Sequence, residues 1–243
     1  MYRFGVIGDD LRMKYLYDAL LSDGYSAKMG EQYIDECEII ILPVNSGELS
    51  KCRGKTVIGG FTGVIPAPQD CRIINYLTHP RYIVKNAQVT AEGAVFMAMQ
   101  ASHNALMGKS ALITGFGNIG KSLCRKLVAL GMQVTVCARS IGARAEAEDY
   151  GAARCDFSAL PLNPADFVFN TVPSRVISYS YLSALDRESV IIELASNPGG
   201  VDVDAAHTLG ITLLDGRGLP GKYAPRTAGM ILHDTVTELA REV

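Results

Sequence analysis

The chain has 243 residues, a length that suits one or two domains. Apolar residues make up 48% and charged residues 20% of the sequence, a balance typical of a globular protein with a sizeable core. The net charge of −2, with no run of lysine or arginine, argues against a surface that binds nucleic acid. No apolar run approaches the ~18 residues that a membrane span requires.

Short apolar runs alternate with helical stretches along the chain. This pattern predicts an α/β fold of two lobes, each a parallel sheet flanked by helices. We expect residues 1–85 to form the first lobe and to bind substrate. A helix is predicted at Leu11–Ser22, ending before Gly24. The strands of this lobe are predicted at Tyr2–Ile7, Glu38–Leu42, Lys55–Ile58 and Cys71–Ile74.

Residues 86–108 are predicted to form a connecting helix. Thr90 is expected to cap its N terminus, and Glu92 to place negative charge in the first turn, where the helix dipole favours it. Gly108 is expected to end the helix. The stretch is rich in alanine, methionine and glycine, which suits packing between two lobes or against a second copy of the chain in a homo-oligomer.

Residues 109–225 repeat strand and helix regularly and are predicted to form a Rossmann dinucleotide-binding domain. The predicted strands are Ala111–Thr114, Gln133–Cys137, Phe167–Asn170, Val190–Leu194 and Ile211–Leu214. The predicted helices are Ile119–Leu130, Ile141–Tyr150 and Val203–Leu209. Asp215–Pro225 is expected to be a loop. Residues 226–243 carry a last helix, Arg226–Glu242, which is free to pack back on the first lobe because no strand follows it.

The stretch Gly115-Phe116-Gly117-Asn118-Ile119-Gly120 matches the pattern GxGxxG between a predicted strand and a predicted helix. In this context Gly115 permits a tight turn, Gly117 lets a pyrophosphate approach the backbone, and Gly120 lets the helix pack closely on the strand. The N–H groups at the start of the helix, from Asn118 and Ile119 onward, would hold the phosphates. The alternative is a junction that uses glycine only for packing.

The second strand of this unit ends in Cys137-Ala138-Arg139-Ser140, where a carboxylate usually binds the hydroxyl groups of an adenosine ribose. A carboxylate would repel a 2′-phosphate, whereas the guanidinium of Arg139 can pair with one. Ala138 leaves room and Ser140 can donate a further hydrogen bond. The sequence therefore predicts NADP as the cofactor, unless Arg139 is only a solvated residue at a strand end.

Two further loops follow buried strands and are expected at the same carboxyl edge of the sheet, where ligands bind in open α/β folds. One contains Thr171, Val172 and Pro173, and the other contains Ala195 and Ser196. These five residues are predicted to contact the cofactor. The alternative is two ordinary turns, because proline and glycine favour turns in any context.

Five stretches closely resemble the family of dehydrogenase-like subunits found in the dipicolinate synthases of spore-forming bacteria. They are VKNAQVTAEGA, TGFGNIGKSL, NTVPS, ELASNPGG and GLPGKYAPRTAG. The resemblance covers most of the chain and is densest from Val84 to Gly229. Two features depart from the family: the first lobe is shorter than expected, and Asn197 stands where lysine is expected.

The resemblance implies that dihydrodipicolinate, a small ring with two carboxylates, is oxidised to dipicolinate during sporulation, with hydride transfer to NADP. It also implies a partner, the flavoprotein-like component of dipicolinate synthase. Cationic and hydrogen-bonding side chains would bind such a substrate. The candidates are Arg12, Asn45, Lys85, Asn86, Thr90, Arg226 and Thr227. Either Lys222 or Glu92 is a candidate for the base that removes the second hydrogen as a proton. Each of these residues also has a purely structural alternative as a capping or solvated side chain.

Two other functions fit the same plan of two lobes. A D-2-hydroxyacid dehydrogenase acting on a small carboxylate would need a histidine near the last strand, and His207 is expected within a helix instead. A non-catalytic sensor that binds NADP(H) would need no carboxylate pocket. No metal site is predicted, because the four histidines are scattered and the six cysteines show no ligand-like spacing. Reduced cysteines and the absence of a visible signal peptide indicate a cytoplasmic protein.

Overall fold

The computed structural model describes residues 2–63 and 68–243. It contains two parallel sheets flanked by helices, so the prediction of an α/β fold is confirmed. Contacts between Cα atoms divide the chain into two compact units. The first unit comprises Met1–Asn86 together with Pro220–Val243, and the second comprises Ala87–Leu219.

The first unit is built on a five-stranded parallel sheet in the order β2-β1-β3-β4-β5. The strands are β1 (Tyr2–Val6), β2 (Ala27–Met29), β3 (Cys37–Val44), β4 (Thr56–Gly60) and β5 (Arg72–Asn75). Helix α1 (Leu11–Ser22) connects β1 to β2. Because the strand order reverses between β1 and β3, a crevice is expected outside the carboxyl ends of these two strands.

The central strand and the last helix hold the core of the first unit. Residues 39–42 of β3 are at most 3% exposed, because helices or loops cover both faces of a parallel sheet. Helix α8 (Pro225–Leu239) packs against α1. A Cβ atom at Gly229 would lie 2.7 Å from the carbonyl oxygen of Arg12, so only glycine allows this close approach.

The second unit is built on a six-stranded parallel sheet in the order β11-β10-β9-β6-β7-β8. The strands are β6 (Ser110–Thr114), β7 (Gln133–Cys137), β8 (Ala153–Cys155), β9 (Phe167–Asn170), β10 (Val190–Glu193) and β11 (Thr212–Asp215). The helices are α3 (Asn118–Ala129), α4 (Ile141–Asp149), α5 (Tyr179–Leu182) and α6 (Val203–Leu209). The strand order reverses between β6 and β9, which is the Rossmann topology.

Helix α2 (Pro80–Ala101) corrects the predicted connecting helix. Proline fits the first turn of a helix, where its missing N–H has no partner to lose, so α2 begins at Pro80 and not after Thr90. The predicted N-cap role of Thr90 is therefore wrong, because this residue is buried in the middle of the helix. The predicted loop before α8 also contains a short helix, α7 (Leu219–Tyr223).

Candidate functional site

The turn after β6 lies at the point where the strand order of the second unit reverses. Gly115 has φ +86°, in the left-handed region that favours glycine. A Cβ atom at this position would lie 2.5 Å from the Oγ1 atom of Thr171 in the loop after β9. The turn can therefore approach the neighbouring loop only because Gly115 has no side chain.

The other two glycines of the motif have different surroundings. A Cβ atom at Gly120 would lie 2.5 Å from the carbonyl oxygen of Gly115, so this glycine lets α3 pack on the turn. A Cβ atom at Gly117 would have no heavy atom of the described residues within 4 Å. No side chain of the described residues caps the N terminus of α3 at Asn118 and Ile119. Open space therefore lies beside Gly117, next to N–H groups that an anion can bind.

A pocket of about 230 Å³ continues from this turn to the carboxyl end of β7. Its lining residues are Gly115, Phe116, Ala138, Arg139, Ser140, Ala143, Phe157 and Val172. The side chain of Arg139 is exposed and forms no ion pair with another described residue. The hydroxyl oxygen of Ser140 accepts a hydrogen bond from the backbone N–H of Ala143 at 3.3 Å and so caps α4. The pocket thus combines apolar walls with one uncompensated positive charge.

Three polar side chains connect the ends of β6, β9 and β10. The hydroxyl group of Thr114 donates a hydrogen bond to the amide oxygen of Asn170. The amide nitrogen of Asn170 donates to Glu193 at 2.6 Å and to the carbonyl oxygen of Val172 at 3.0 Å. These bonds fix the loop that contains Thr171, Val172 and the exposed Pro173. The network was absent from the sequence-based candidates, because its members look like ordinary strand ends.

Glu193 also organises the loop after β10. Its buried carboxylate accepts hydrogen bonds from the backbone N–H groups of Ala195 at 2.9 Å and Gly200 at 2.8 Å. Buried Ala195 and exposed Ser196 are therefore positioned by a side chain at the end of the strand. Asn197, in the same loop, accepts a hydrogen bond from Arg217. A carboxylate at the end of an otherwise apolar strand is the sequence signal that could have revealed this role.

In the first unit, Arg12 lies in the first turn of α1 and is held by Asp10. The Nε and Nη2 atoms of Arg12 donate to the two carboxylate oxygens of Asp10 at 3.0 and 2.9 Å. Burial alone would raise the pKa of Asp10, but the hydrogen bonds and the charge of Arg12 outweigh it and lower the pKa. The pair leaves the Nη1 group of Arg12 without a hydrogen bond to another described residue.

The other candidates of the first unit differ in how their side chains are engaged. Asn45 exchanges hydrogen bonds with Thr62, including Nδ2 to Oγ1 at 2.8 Å. Asn86 is half-buried and engaged. The remaining candidates have exposed side chains, and they are Lys85, Lys222, Arg226 and Thr227. Lys222 lies on α7, next to Gly221, where a Cβ atom would be 2.8 Å from the Nε atom of Arg12.

The two candidates of the second unit lie within α2. Thr90 is buried and engaged in a further interaction. Glu92 forms an ion pair with Lys126 of α3, with 3.0 Å between Oε1 and Nζ. The predicted role of Glu92 at a helix N terminus is wrong, because α2 begins twelve positions earlier, at Pro80.

The histidines and the remaining acidic groups form no second candidate site among the described residues. His233 is buried and lies 3.1 Å from Asp23, and His207 is exposed on α6. Within residues 2–63 and 68–243, no group of three or more histidine, cysteine, aspartate or glutamate side chains could hold a metal ion. In the same ranges no helix has the length and apolar character needed to cross a bilayer.

The comparison with known families agrees with the geometry of the second unit. Residues 74–204 match the NAD binding domain of the D-isomer specific 2-hydroxyacid dehydrogenases. D-lactate dehydrogenase from Escherichia coli shares the fold, with a TM-score of 0.68 and 16% identity over 98% of this chain and 96% of that chain.

Dipicolinate synthase shows greater similarity, through the subunit whose family the sequence resembles, so that resemblance is confirmed. The chain is 31% identical over 181 residues to the protein from Bacillus subtilis, and this alignment covers 74% of the chain but only 61% of the relative. The crystal structure of the Bacillus halodurans protein has a TM-score of 0.87 and 25% identity, over 98% of this chain and 97% of that one. The Bacillus subtilis structure has the same TM-score, with 26% identity over 99% and 96%.

Proposed function

The chain belongs to the D-isomer specific 2-hydroxyacid dehydrogenase family through its NAD binding domain, and we propose that it oxidises dihydrodipicolinate to dipicolinate with NADP⁺ as the acceptor. The observation that carries the substrate is the similarity to dipicolinate synthase structures along nearly the whole chain. The unpaired Arg139 beside the glycine turn carries the choice of cofactor.

The residues present fit a nicotinamide dinucleotide with a 2′-phosphate. The space beside Gly117 and the uncapped start of α3 suit a diphosphate, because backbone N–H groups and the helix dipole both favour an anion there. Arg139 suits the 2′-phosphate, because a phosphate would supply the counter-charge that this guanidinium lacks. The apolar wall near Phe157 and Val172 suits the adenine ring. Thr171, Val172, Pro173, Ala195 and Ser196 would line the remaining length of the cofactor.

The bound cofactor accepts a hydride, and the protein must orient the substrate and remove a proton. Loss of hydride and of one proton converts the dihydropyridine ring into an aromatic pyridine, so a modest base suffices. Lys222 is the better candidate for this base, because it has no ion-pair partner among the described residues, whereas Glu92 is paired with Lys126. Arg12, Lys85 and Arg226 would then balance the two carboxylates of the substrate.

The reaction is tested by mixing the protein with NADP⁺ and freshly generated dihydrodipicolinate, and by recording NADPH formation with and without the flavoprotein-like partner. We expect NADPH to form at least in the presence of that partner. Lys222→Ala should reduce the rate about a hundredfold, within the range for a missing general base, and Glu92→Ala by less than about threefold. The reverse ranking of the two variants would assign the base to Glu92.

The cofactor is tested with Arg139→Ala in titrations with NADP⁺ and NAD⁺. We expect the affinity for NADP⁺ to fall about tenfold to a hundredfold, because one charge-assisted contact with a phosphate is lost. The affinity for NAD⁺ should change less than about twofold, because NAD⁺ lacks that phosphate.

Arg187→Ala is the matched control for this titration. Arg187 is also exposed in the second unit, but it precedes β10 and so lies at the amino edge of the sheet. This variant should bind both dinucleotides as the wild type does. Equal losses of NADP⁺ and NAD⁺ affinity in Arg139→Ala would contradict the assignment of the 2′-phosphate.

Two other outcomes lead to different functions. NADH or NADPH consumption with small 2-oxoacids, without any reaction of dihydrodipicolinate, would support a D-2-hydroxyacid dehydrogenase, which is the activity named by the matched family. Dinucleotide binding without turnover of either substrate class, even with the flavoprotein-like partner, would support a redox sensor.

A further inference from the structure

Two buried tyrosines of the first unit have hydroxyl groups without a hydrogen-bond partner among the described residues. Tyr76 follows β5 and is 1% exposed, and Tyr82 lies in the first turn of α2 and is 6% exposed. Their ring centroids are 5.0 Å apart. Buried polar groups in folded proteins are nearly always satisfied, so two unpartnered hydroxyl groups on neighbouring rings indicate that something else binds there.

Arg12 lies close enough to both tyrosines for its charge to act on them. Burial raises the pKa of Tyr76 and of Tyr82, and the nearby positive charge of Arg12 opposes this rise in both. Both hydroxyl groups are therefore protonated near neutral pH and can donate hydrogen bonds. The Nη1 group of Arg12 has no acceptor among the described residues, because Asp10 accepts only from Nε and Nη2.

Two glycines leave space beside these donors. A Cβ atom at Gly60, the last residue of β4, would lie 2.5 Å from the hydroxyl oxygen of Tyr76. A Cβ atom at Gly221 would lie 2.8 Å from the Nε atom of Arg12. Arg12, Gly60 and Tyr76 all follow or end strands of the first sheet, so they belong to its carboxyl edge, where ligands bind in open α/β folds.

We propose that Tyr76 and Tyr82, together with Arg12, bind one carboxylate of a small ring dicarboxylate. The three side chains supply only donors at this point, as an anion requires. Because Asp10 neutralises the charge of Arg12, the cluster suits a singly charged carboxylate better than a doubly charged phosphate. The inference rests on the proposed function for the identity of the ligand, and it adds two binding residues to the substrate site.

The proposal is tested by titrating the full chain with dipicolinate, the stable product, in metal-free buffer, with and without NADP⁺. Tyr76→Phe and Tyr82→Phe should each weaken dipicolinate binding about tenfold or more, because each removes a hydrogen bond to a charged group. Neither variant should change the affinity for NADP⁺. Without dipicolinate, the stability of both variants should equal or exceed that of the wild type, because the deleted hydroxyl has no partner to lose.

Tyr181→Phe is the matched control. Tyr181 is also buried, but its hydroxyl group donates to the carbonyl oxygen of Asn163 at 3.2 Å in the second unit. This variant should lose stability and bind dipicolinate as the wild type does. The opposite pattern, with lower stability and unchanged dipicolinate binding in Tyr76→Phe and Tyr82→Phe, would overturn the proposal.

Further arms of the experiment separate this inference from the proposed reaction. Inorganic phosphate that binds as tightly as dipicolinate would overturn the assignment of a carboxylate. If NADPH forms in the wild type and both tyrosine variants keep its KM, the inference fails and the proposed reaction stands. If no NADPH forms but dipicolinate binding depends on both hydroxyl groups, the proposed reaction fails and this binding site stands.

Discussion

The carboxyl edges of the two sheets are built by different means. In the second unit, the candidate cofactor site consists mainly of backbone: the six residues Gly115–Gly120, whose glycines leave space and whose N–H groups face it. In the first unit, the candidate substrate site consists of side chains from distant positions, namely Arg12, Tyr76 and Tyr82. A backbone site is continuous in the sequence, whereas a site of side chains is assembled only by the fold.

Each edge also uses a carboxylate differently. Glu193 of the second unit accepts hydrogen bonds from backbone N–H groups and from Asn170, so it fixes the course of two loops. Asp10 of the first unit accepts from the guanidinium of Arg12, so it fixes the direction of one side chain. The second unit should therefore respond most strongly to changes that displace backbone, and the first to changes that alter single polar groups.

The largest expected effect follows from exchanging the two glycines Gly117 and Gly120 for alanine. Gly120→Ala should destabilise the protein by ~1–3 kcal/mol and abolish NADP⁺ binding, because the added methyl group overlaps the carbonyl oxygen of Gly115. Gly117→Ala should cost less than about 1 kcal/mol, because its Cβ meets no described residue and its φ of −82° suits alanine.

Gly117→Ala should nevertheless weaken NADP⁺ binding by about tenfold or more, because the methyl group would occupy the space assigned to the diphosphate. Thermal unfolding and NADP⁺ titration of both variants measure the two effects separately. A Gly117→Ala protein with normal affinity for NADP⁺ would show that the space beside this residue is not the diphosphate site. The backbone origin of the second site would then be in doubt.

Much of the fold could be predicted from the sequence, because local signals mark its elements. The helices Leu11–Ser22 and Val203–Leu209 have the predicted bounds, and their ends carry an aspartate at the N-cap, with Gly210 in the left-handed conformation at the end of the second. The strands Ala27–Met29 and Ala153–Cys155 were missed, because three residues with a charge among them show no apolar run.

The candidate sites were predictable to a smaller extent. The glycine motif and Arg139 could be found because their spacing from predicted strands is informative in itself. Glu193, Phe157, Tyr76 and Tyr82 could not be found, since each acts through neighbours that are far away in the sequence or that only the fold brings together. Thr90 and Glu92 were assigned to a helix start because the first three turns of α2 contain no motif that reveals them.

The smallest expected effect concerns Asp10 of the first unit. Asn is nearly as good an N-cap as Asp, so Asp10→Asn should keep the start of α1 and lose only the charge pair with Arg12. Because the pair is partly exposed and screened, the loss at pH 7 should be at most about 1 kcal/mol. The pKa of Asp10 is lowered in the folded state, so its stabilising contribution is present above the unfolded pKa of ~3.9 and is lost as the pH falls through the folded value. Thermal unfolding of wild type and variant from pH 7 to pH 3 should therefore show a difference that is constant above about pH 5 and shrinks below about pH 4. A difference that persists at about pH 3 would mean that Asp10 acts through its cap and not through Arg12, and the guanidinium would then need another source of orientation.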